Sequence, residues 1–232
     1  TDNSGETKKI YKNARPDSII FECEQSLRRL GTDYIDLYQC HWRDSTTPVE
    51  VTAEAVAKLI EQGKVRAAGV SNFTVEEIAA YNATAPLASN QPPYSMVTRE
   101  VDVDVLPYCR EHGIGTIAYS SLQRGLLTGK FTADHKFSGD DHRASSPLFQ
   151  GENLAKVNAF LDRIRPVADG HNATVAQLVI AWTIRQPGIT AALVGARNPK
   201  QALENAGAGE LTLTSEELAA IDLELAQLEL DA

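Results

Sequence analysis

Five places in this sequence put polar or aromatic side chains directly after short apolar runs: His41-Trp42, Ser71-Asn72-Phe73, Gln91, Tyr119-Ser120-Ser121 and Gly195-Ala196-Arg197. Such a set is unusual for residues whose only duty is packing. A neutral imidazole at His41 can donate to a substrate carbonyl, although a buried, satisfied histidine would read the same way. Tyr119 with two serines behind it suits a platform on which a flat heterocycle stacks, its hydroxyls facing a polar ligand; a core tyrosine is the plainer alternative. Ser71-Asn72 are also good helix caps. In Gly195-Ala196-Arg197-Asn198-Pro199 a glycine before a helix start exposes backbone N–H groups to an anion, and Arg197 adds a full positive charge. Gln201, Glu204 and Asn205 share one face of the helix that follows, where they can hold a ribose or a base, unless this is only a solvated helix start.

The elements that must carry these residues alternate between apolar runs and amphipathic segments, the signature of parallel βα units. Pro16-Asp17-Ser18 opens a helix whose apolar positions Ile19, Ile20, Cys23, Leu27 and Leu30 recur at helical spacing until Gly31 stops it. A strand is expected over Ile35 to Cys40. The next helix starts at Pro48 and stops at Gly63, before a strand over Val65 to Val70. Thr74 with Glu77 forms a capping-box pattern for a helix to about Asn82, and Ala88 to Gln91 is expected as a brief strand closed by Pro92-Pro93. Val101 to His112 reads as a helix and Ile114 to Tyr119 as a strand. From Gln123 to Gly151 the chain is rich in Gly, Ser, Asp and His without periodicity, so a functional loop is expected there. Helices follow at about Asn153 to Asp169, Thr174 to Gln186 and Pro199 to Ala206, with a strand over Ile189 to Val194 and a final helix capped by Thr214 and Glu217. The strand ends are where parallel βα proteins gather functional residues.

Composition narrows the function classes. With 232 residues, 43% hydrophobic and 23% charged, the chain matches an ordinary globular domain, read as one domain over 1–232. A formal charge of -9 disfavours nucleic acid and acidic membrane surfaces as partners. No apolar run reaches the roughly 20 residues of a membrane span, and no signal segment opens the chain, so a cytoplasmic location is expected. Cys23, Cys40 and Cys109 are odd in number and lack CxxC spacing, which argues against disulfides and structural metal. The polar opening Thr-Asp-Asn-Ser reads as a loop between elements. Oligomeric state leaves no trace, so a homo-oligomer stays open.

Taken in order, these residues resemble the aldo-keto reductase family over nearly the whole chain. The resemblance rests on Leu27-Arg28-Arg29-Leu30-Gly31-Thr32-Asp33-Tyr34-Ile35-Asp36-Leu37-Tyr38 with His41 behind it, and on Gly63-Lys64-Val65-Arg66-Ala67-Ala68-Gly69-Val70-Ser71-Asn72-Phe73. Gln91-Pro92-Pro93-Tyr94, Tyr119-Ser120-Ser121-Leu122 with Gly125-Leu126-Leu127-Thr128-Gly129-Lys130, and Gly195-Ala196-Arg197 to Glu204-Asn205 complete it. The long Lys130 to Arg143 loop is similar to the branch containing the potassium-channel β-subunits and bacterial oxidoreductases. The resemblance implies a (β/α)8 TIM barrel, with strands 4 to 8 and their helices in this chain and strands 1 to 3 upstream of Thr1.

It also implies NADP(H) as cofactor and a small carbonyl compound, aldehyde or ketone, as substrate. By position, Ser71, Asn72 and Gln91 would hold the nicotinamide carboxamide and Tyr119 would stack on the ring. Ser120, Leu122, Arg124 and Lys130 would line the pyrophosphate path, with Arg143 approaching from the loop. Gly195, Arg197, Gln201, Glu204 and Asn205 would take the adenosine end, Arg197 and Gln201 nearest the 2′-phosphate. That phosphate brings about two negative charges, which Arg197 and backbone N–H groups can compensate, and screening limits distant charges to about 8 to 10 Å. Of the family's catalytic Tyr, Lys, Asp and His, only the histidine is assigned, to His41; the adjacent Tyr11 and Lys12 match no such motif. A nucleotide-binding regulatory or redox-sensing protein without turnover is the alternative.

Overall fold

The computed structural model describes residues 12–132, 135–137 and 140–231, so Tyr11 lies outside the described residues. Each helix carries the local chemistry that starts and stops it. Helix α1 (Pro16–Leu30) has proline in its first turn, Asp17 beside the positive end of the dipole and Arg28-Arg29 at the negative end; Gly31, at φ 67, closes it by donating to the Leu27 carbonyl. Strand β1 (Ile35–Cys40) follows, then α2 (Val49–Glu61), β2 (Val65–Ser71), α3 (Val75–Thr84) and β3 (Leu87–Gln91). The Thr74/Glu77 capping box forms in both directions, and the helix it starts runs on to Thr84.

The helix expected over Val101 to His112 divides. A 3-10 turn covers Glu100–Asp102, and α4 (Val105–Glu111) starts afresh because the Asp104 side chain accepts the Val105 N–H. A local cap of this kind competes with helix continuation, and apolar periodicity does not register it. After β4 (Gly115–Ala118) the segment expected to be irregular holds three 3-10 turns, Gln123–Thr128, His142–Ser145 and Pro147–Phe149. Then come α5 (Gly151–Gly170), α6 (Val175–Arg185), β5 (Ala191–Ala192), α7 (Pro199–Gly207) and α8 (Ser215–Ala226). The strand expected over Ile189 to Val194 shrinks to two residues, because its ladder with β4 holds only the pairs Ile117↔Ala191 and Ala118↔Ala192.

Among the described residues the sheet has five strands in the order β1-β2-β3-β4-β5, every pair parallel. The register aligns Gln39 with Gly69, Gly69 with Ser89, and Ser71 with Gln91. The chain forms two compact units: residues 1–92 with 103–116, and residues 93–102 with 117–232. In the first, Val65, Ala68 and Val70 of β2 are buried with Leu59 of α2 and Ile78 and Tyr81 of α3. In the second, Trp182 and Leu178 of α6 are buried with Phe160 and Leu161 of α5 and Ile221 of α8; the Trp182 indole N–H donates to Asp222 at 2.8 Å. Each buried valine, leucine, isoleucine or phenylalanine among these contributes roughly 1.5–3 kcal/mol, and this packing holds the strands in place.

Candidate functional site

The first unit brings together the polar residues at the ends of β1, β2 and β3. Ser71 ends β2 opposite Gln91 of β3, and its hydroxyl donates to the Gln91 main-chain oxygen at 2.7 Å. The backbone N–H of Asn72 donates to the same oxygen at 3.3 Å. Asn72 sits at φ 63, the left-handed region that asparagine tolerates better than most residues, and this turn sends its side chain back across the strand ends. Its Nδ2 donates to the His41 carbonyl at 3.1 Å and to Ser71 Oγ at 3.0 Å. The imidazole of His41 lies 5.8 Å from the Trp42 ring, and Lys12 Nζ stands 4.3 Å from the centre of that same Trp42 ring. His41, Ser71, Asn72 and Gln91 are therefore one hydrogen-bonded group.

The sequence reading missed a fifth member, Gln39, whose Oε1 accepts from Gln91 Nε2 at 3.2 Å. A signal was present. Gln39 is a polar residue one place inside the end of β1, whereas the sequence reading takes residues at or after each strand end.

The second unit holds a cavity of about 740 Å³ lined by Ser120, Leu122, Arg124, Lys130, Arg143, Gly195, Arg197, Gln201, Glu204 and Asn205, all anticipated, and also by Ser121, Thr128, Phe131, His135, Ala176, Leu193, Val194 and others. Tyr119 does not line it. Burial pushes the Tyr119 phenol above its ordinary range, with Arg124 acting against that shift. The turn after β4 is backbone-strained: Ser120, Gln123 and Arg124 have φ of 60, 45 and 54, and Gly125 follows at φ 94. Strain of this kind persists where surrounding contacts over-determine it. Here the Gln123 and Gly125 N–H groups donate back to the Ser120 and Leu122 carbonyls. The hydroxyl of Ser121, fully buried, has no hydrogen-bond partner among the described residues.

Across the cavity, α7 is started by Asn198, whose side chain accepts the Gln201 N–H at 2.9 Å, with Pro199 in the first turn. Gln201 answers by accepting the Arg197 N–H at 2.8 Å, and Asn205 Nδ2 donates to the Gly195 carbonyl at 3.2 Å. These bonds hold the Gly195 to Asn198 turn in one shape. Arg143 is held differently. Its guanidinium pairs with Asp141 at 2.6 Å, reaches the Arg124 carbonyl at 3.3 Å and stands 5.0 Å from the rings of Phe131 and Phe137. Hydrogen bonds from Arg143 pull the Asp141 carboxyl down to about 2.

Among the described residues no carboxylate pairs with Arg124, Lys130 or Arg197, and the acid on the cavity wall is Glu204. The cavity is thus strongly cationic in a chain of net charge -9. Unpaired cations, a buried hydroxyl without a partner and a helix amino terminus are the donor set that phosphate groups need. Among the described residues no cluster of His, Cys, Asp or Glu is placed to hold a metal, and no helix is long and apolar enough to cross a membrane.

Known proteins resemble this chain in sequence and in fold. The profile of the aldo/keto reductase family matches residues 5–224. The chain is 46% identical over 196 residues to aldo-keto reductase YhdN of Bacillus subtilis (strain 168), a match covering 83% of this chain and 58% of that protein. It is 37% identical over 210 residues to the NADH-specific methylglyoxal reductase of Escherichia coli (strain K12), covering 89% and 64% respectively. Among solved structures, the glycerol dehydrogenase AKR11B4 from Gluconobacter oxydans matches with a TM-score of 0.92 at 39% identity, over 97% of this chain and 68% of that one. The chain spans less than two thirds of the length of either curated relative.

Proposed function

The chain belongs to the aldo/keto reductase family, and on that premise we propose that it binds NADP(H) and serves hydride transfer between the nicotinamide and a small aldehyde or ketone. The observation that carries the cofactor half is the cationic cavity, where Arg124, Lys130 and Arg197 face no carboxylate partner among the described residues. Ser120, Leu122, Arg124 and Lys130 line the pyrophosphate path, with Ser121 beside them, and Arg143 joins them from the loop. Arg197 and Gln201 take the 2′-phosphate, with Gly195, Glu204 and Asn205 around the adenosine. Arg197 favours NADP(H) over NAD(H), although one relative is named NADH-specific.

When bound, the cofactor supplies a hydride for the carbonyl carbon. This chain's own residues bind and orient. Ser71, Asn72 and Gln91 hold the carboxamide, which fixes the ring face that is presented, and Tyr119 stacks against the ring. His41 holds the carbonyl oxygen through its imidazole, lowering the cost of charge on that oxygen as the carbonyl is reduced. The same reading takes residues 1–232 as part of one (β/α)8 barrel domain in a reducing, cytosolic setting, consistent with free Cys23, Cys40 and Cys109.

Titration of the protein with NADPH, followed by nucleotide fluorescence, is expected to give a saturable change that exceeds the response to NADH. Absence of any change sinks the cofactor reading. Consumption of NADPH with a reactive aromatic aldehyde then tests turnover, and binding without consumption would replace the reductase by a nucleotide-binding regulatory protein.

A further inference from the structure

Gln39 has no place in the roles just assigned, yet its hydrogen bonds run in one direction. Its Nε2 donates to the Val70 carbonyl at 3.5 Å, and its Oε1 accepts from Gln91 Nε2 at 3.2 Å. A main-chain carbonyl can only accept, so the group at the head of this chain sets the sense of both amides that follow it. Space for Gln39 comes from Gly69, its partner in the β1–β2 register. A Cβ there would lie 2.6 Å from Gln39 Cγ and 2.7 Å from Ser89 Oγ, closer than van der Waals contact permits. The main chain of Gln91 is held separately, its oxygen taking hydrogen bonds from the Ser71 hydroxyl and the Asn72 N–H. Gln91 is thus fixed at both ends: one hydrogen of its Nε2 is committed to Gln39, and Oε1 is its side-chain acceptor, with no hydrogen bond among the described residues.

We propose that Gln39 is a positioning residue that locks the amide of Gln91 so that Oε1, and not Nε2, meets the nicotinamide carboxamide and selects its NH2 group. This rests on the reading of Gln91 as a carboxamide ligand. It goes further by stating which way round the contact is made and which residue decides it. Without Gln39 the Gln91 amide is free to turn over and offer a donor in place of an acceptor, and the site loses its preference for a ligand that brings hydrogens of its own.

The test compares binding of NADP+ with that of its 3-acetylpyridine analogue, which keeps the ring carbonyl but has a methyl group where the carboxamide has NH2. One hydrogen bond is at stake, so the wild-type protein is expected to bind NADP+ about fivefold more tightly than the analogue. In Gln39→Leu that ratio falls towards one, and in Gly69→Ala, whose new Cβ displaces Gln39, it falls as well. Gln39→Glu retains the ratio, because a carboxylate still accepts from Gln91 Nε2. Adenosine 2′,5′-bisphosphate, which has no nicotinamide, binds all four proteins alike and shows that they are folded. A Gln39→Leu ratio equal to that of the wild type, or a wild type without preference, overturns the proposal while leaving the cofactor reading standing. Failure of the wild type to bind even the adenosine bisphosphate overturns both. If Gln39→Leu loses adenosine bisphosphate binding, the contrast between Gly69→Ala and Gln39→Glu decides.

Discussion

The strand-end group of the first unit and the cavity of the second recognise ligands by opposite means. In the first, Gln39, Ser71, Asn72 and Gln91 spend most of their hydrogen-bonding capacity on one another and on main-chain carbonyls, and carry no formal charge. In the second, Arg124, Lys130 and Arg197 line the wall without a carboxylate partner among the described residues, where the buried hydroxyl of Ser121 also finds no hydrogen-bond partner. A neutral network with most of its bonds made internally is selective about donor and acceptor positions but has little attraction to offer. Unpaired cations attract strongly and read little beyond charge. The two regions therefore suit a neutral amide and a phosphate, and a dinucleotide carries both.

Three substitutions break or sharpen that contrast, beginning with the largest effect. His41→Ala removes a side chain from the neutral group without touching the hydrogen bond that its backbone carbonyl accepts from Asn72. Turnover of an aldehyde is expected to fall roughly a hundredfold or more, with NADPH affinity unchanged; steady-state kinetics beside direct binding separate the two, and unchanged turnover removes His41 from the chemistry. Arg197→Ala acts on the charged side. Loss of one charge-assisted contact should weaken NADPH about tenfold to a hundredfold and NADH far less, and equal losses would show that Arg197 does not read the 2′-phosphate. Raising the salt concentration should shrink the difference between the cofactors in the wild type.

The smallest effect is expected at Asp141. Its carboxyl titrates at about 2 in the folded protein, below the ordinary carboxylate value of about 3.9. A depressed folded value means that the pair with Arg143 contributes its stability above the unfolded value and loses it as pH falls through the folded one. Asp141→Asn should thus melt slightly below the wild type by the same margin from pH 8 to pH 5, and the margin should close as pH drops towards 2. A margin that changes near neutrality would mean that another group governs this loop.

Much of the fold could be read from short stretches. The Thr74/Glu77 and Thr214/Glu217 capping boxes both form, and the βα rhythm holds through β4. Where the reading missed, the cause lay outside apolar periodicity. Ile189 to Val194 has the composition of a buried strand, but a strand is as long as the ladder its neighbour offers, and β4 offers two pairs. The helix over Val101 to His112 breaks because Asp104 caps a new one.

The sequence by itself determined which residue types stand at the strand ends and that a glycine, an arginine and a helix start come together near Gly195. Those features depend on neighbours within a few positions, where periodicity and capping act. Tertiary structure decided which polar groups are consumed by partners and which remain for a ligand. Arg143 is tied to Asp141 while Arg197 meets no carboxylate among the described residues, and Gln91 is bonded by Gln39, a residue 52 positions away, against a glycine on the strand between them. Those outcomes follow from strand register and loop path, which join residues distant in the chain and leave no mark on the spacing of either.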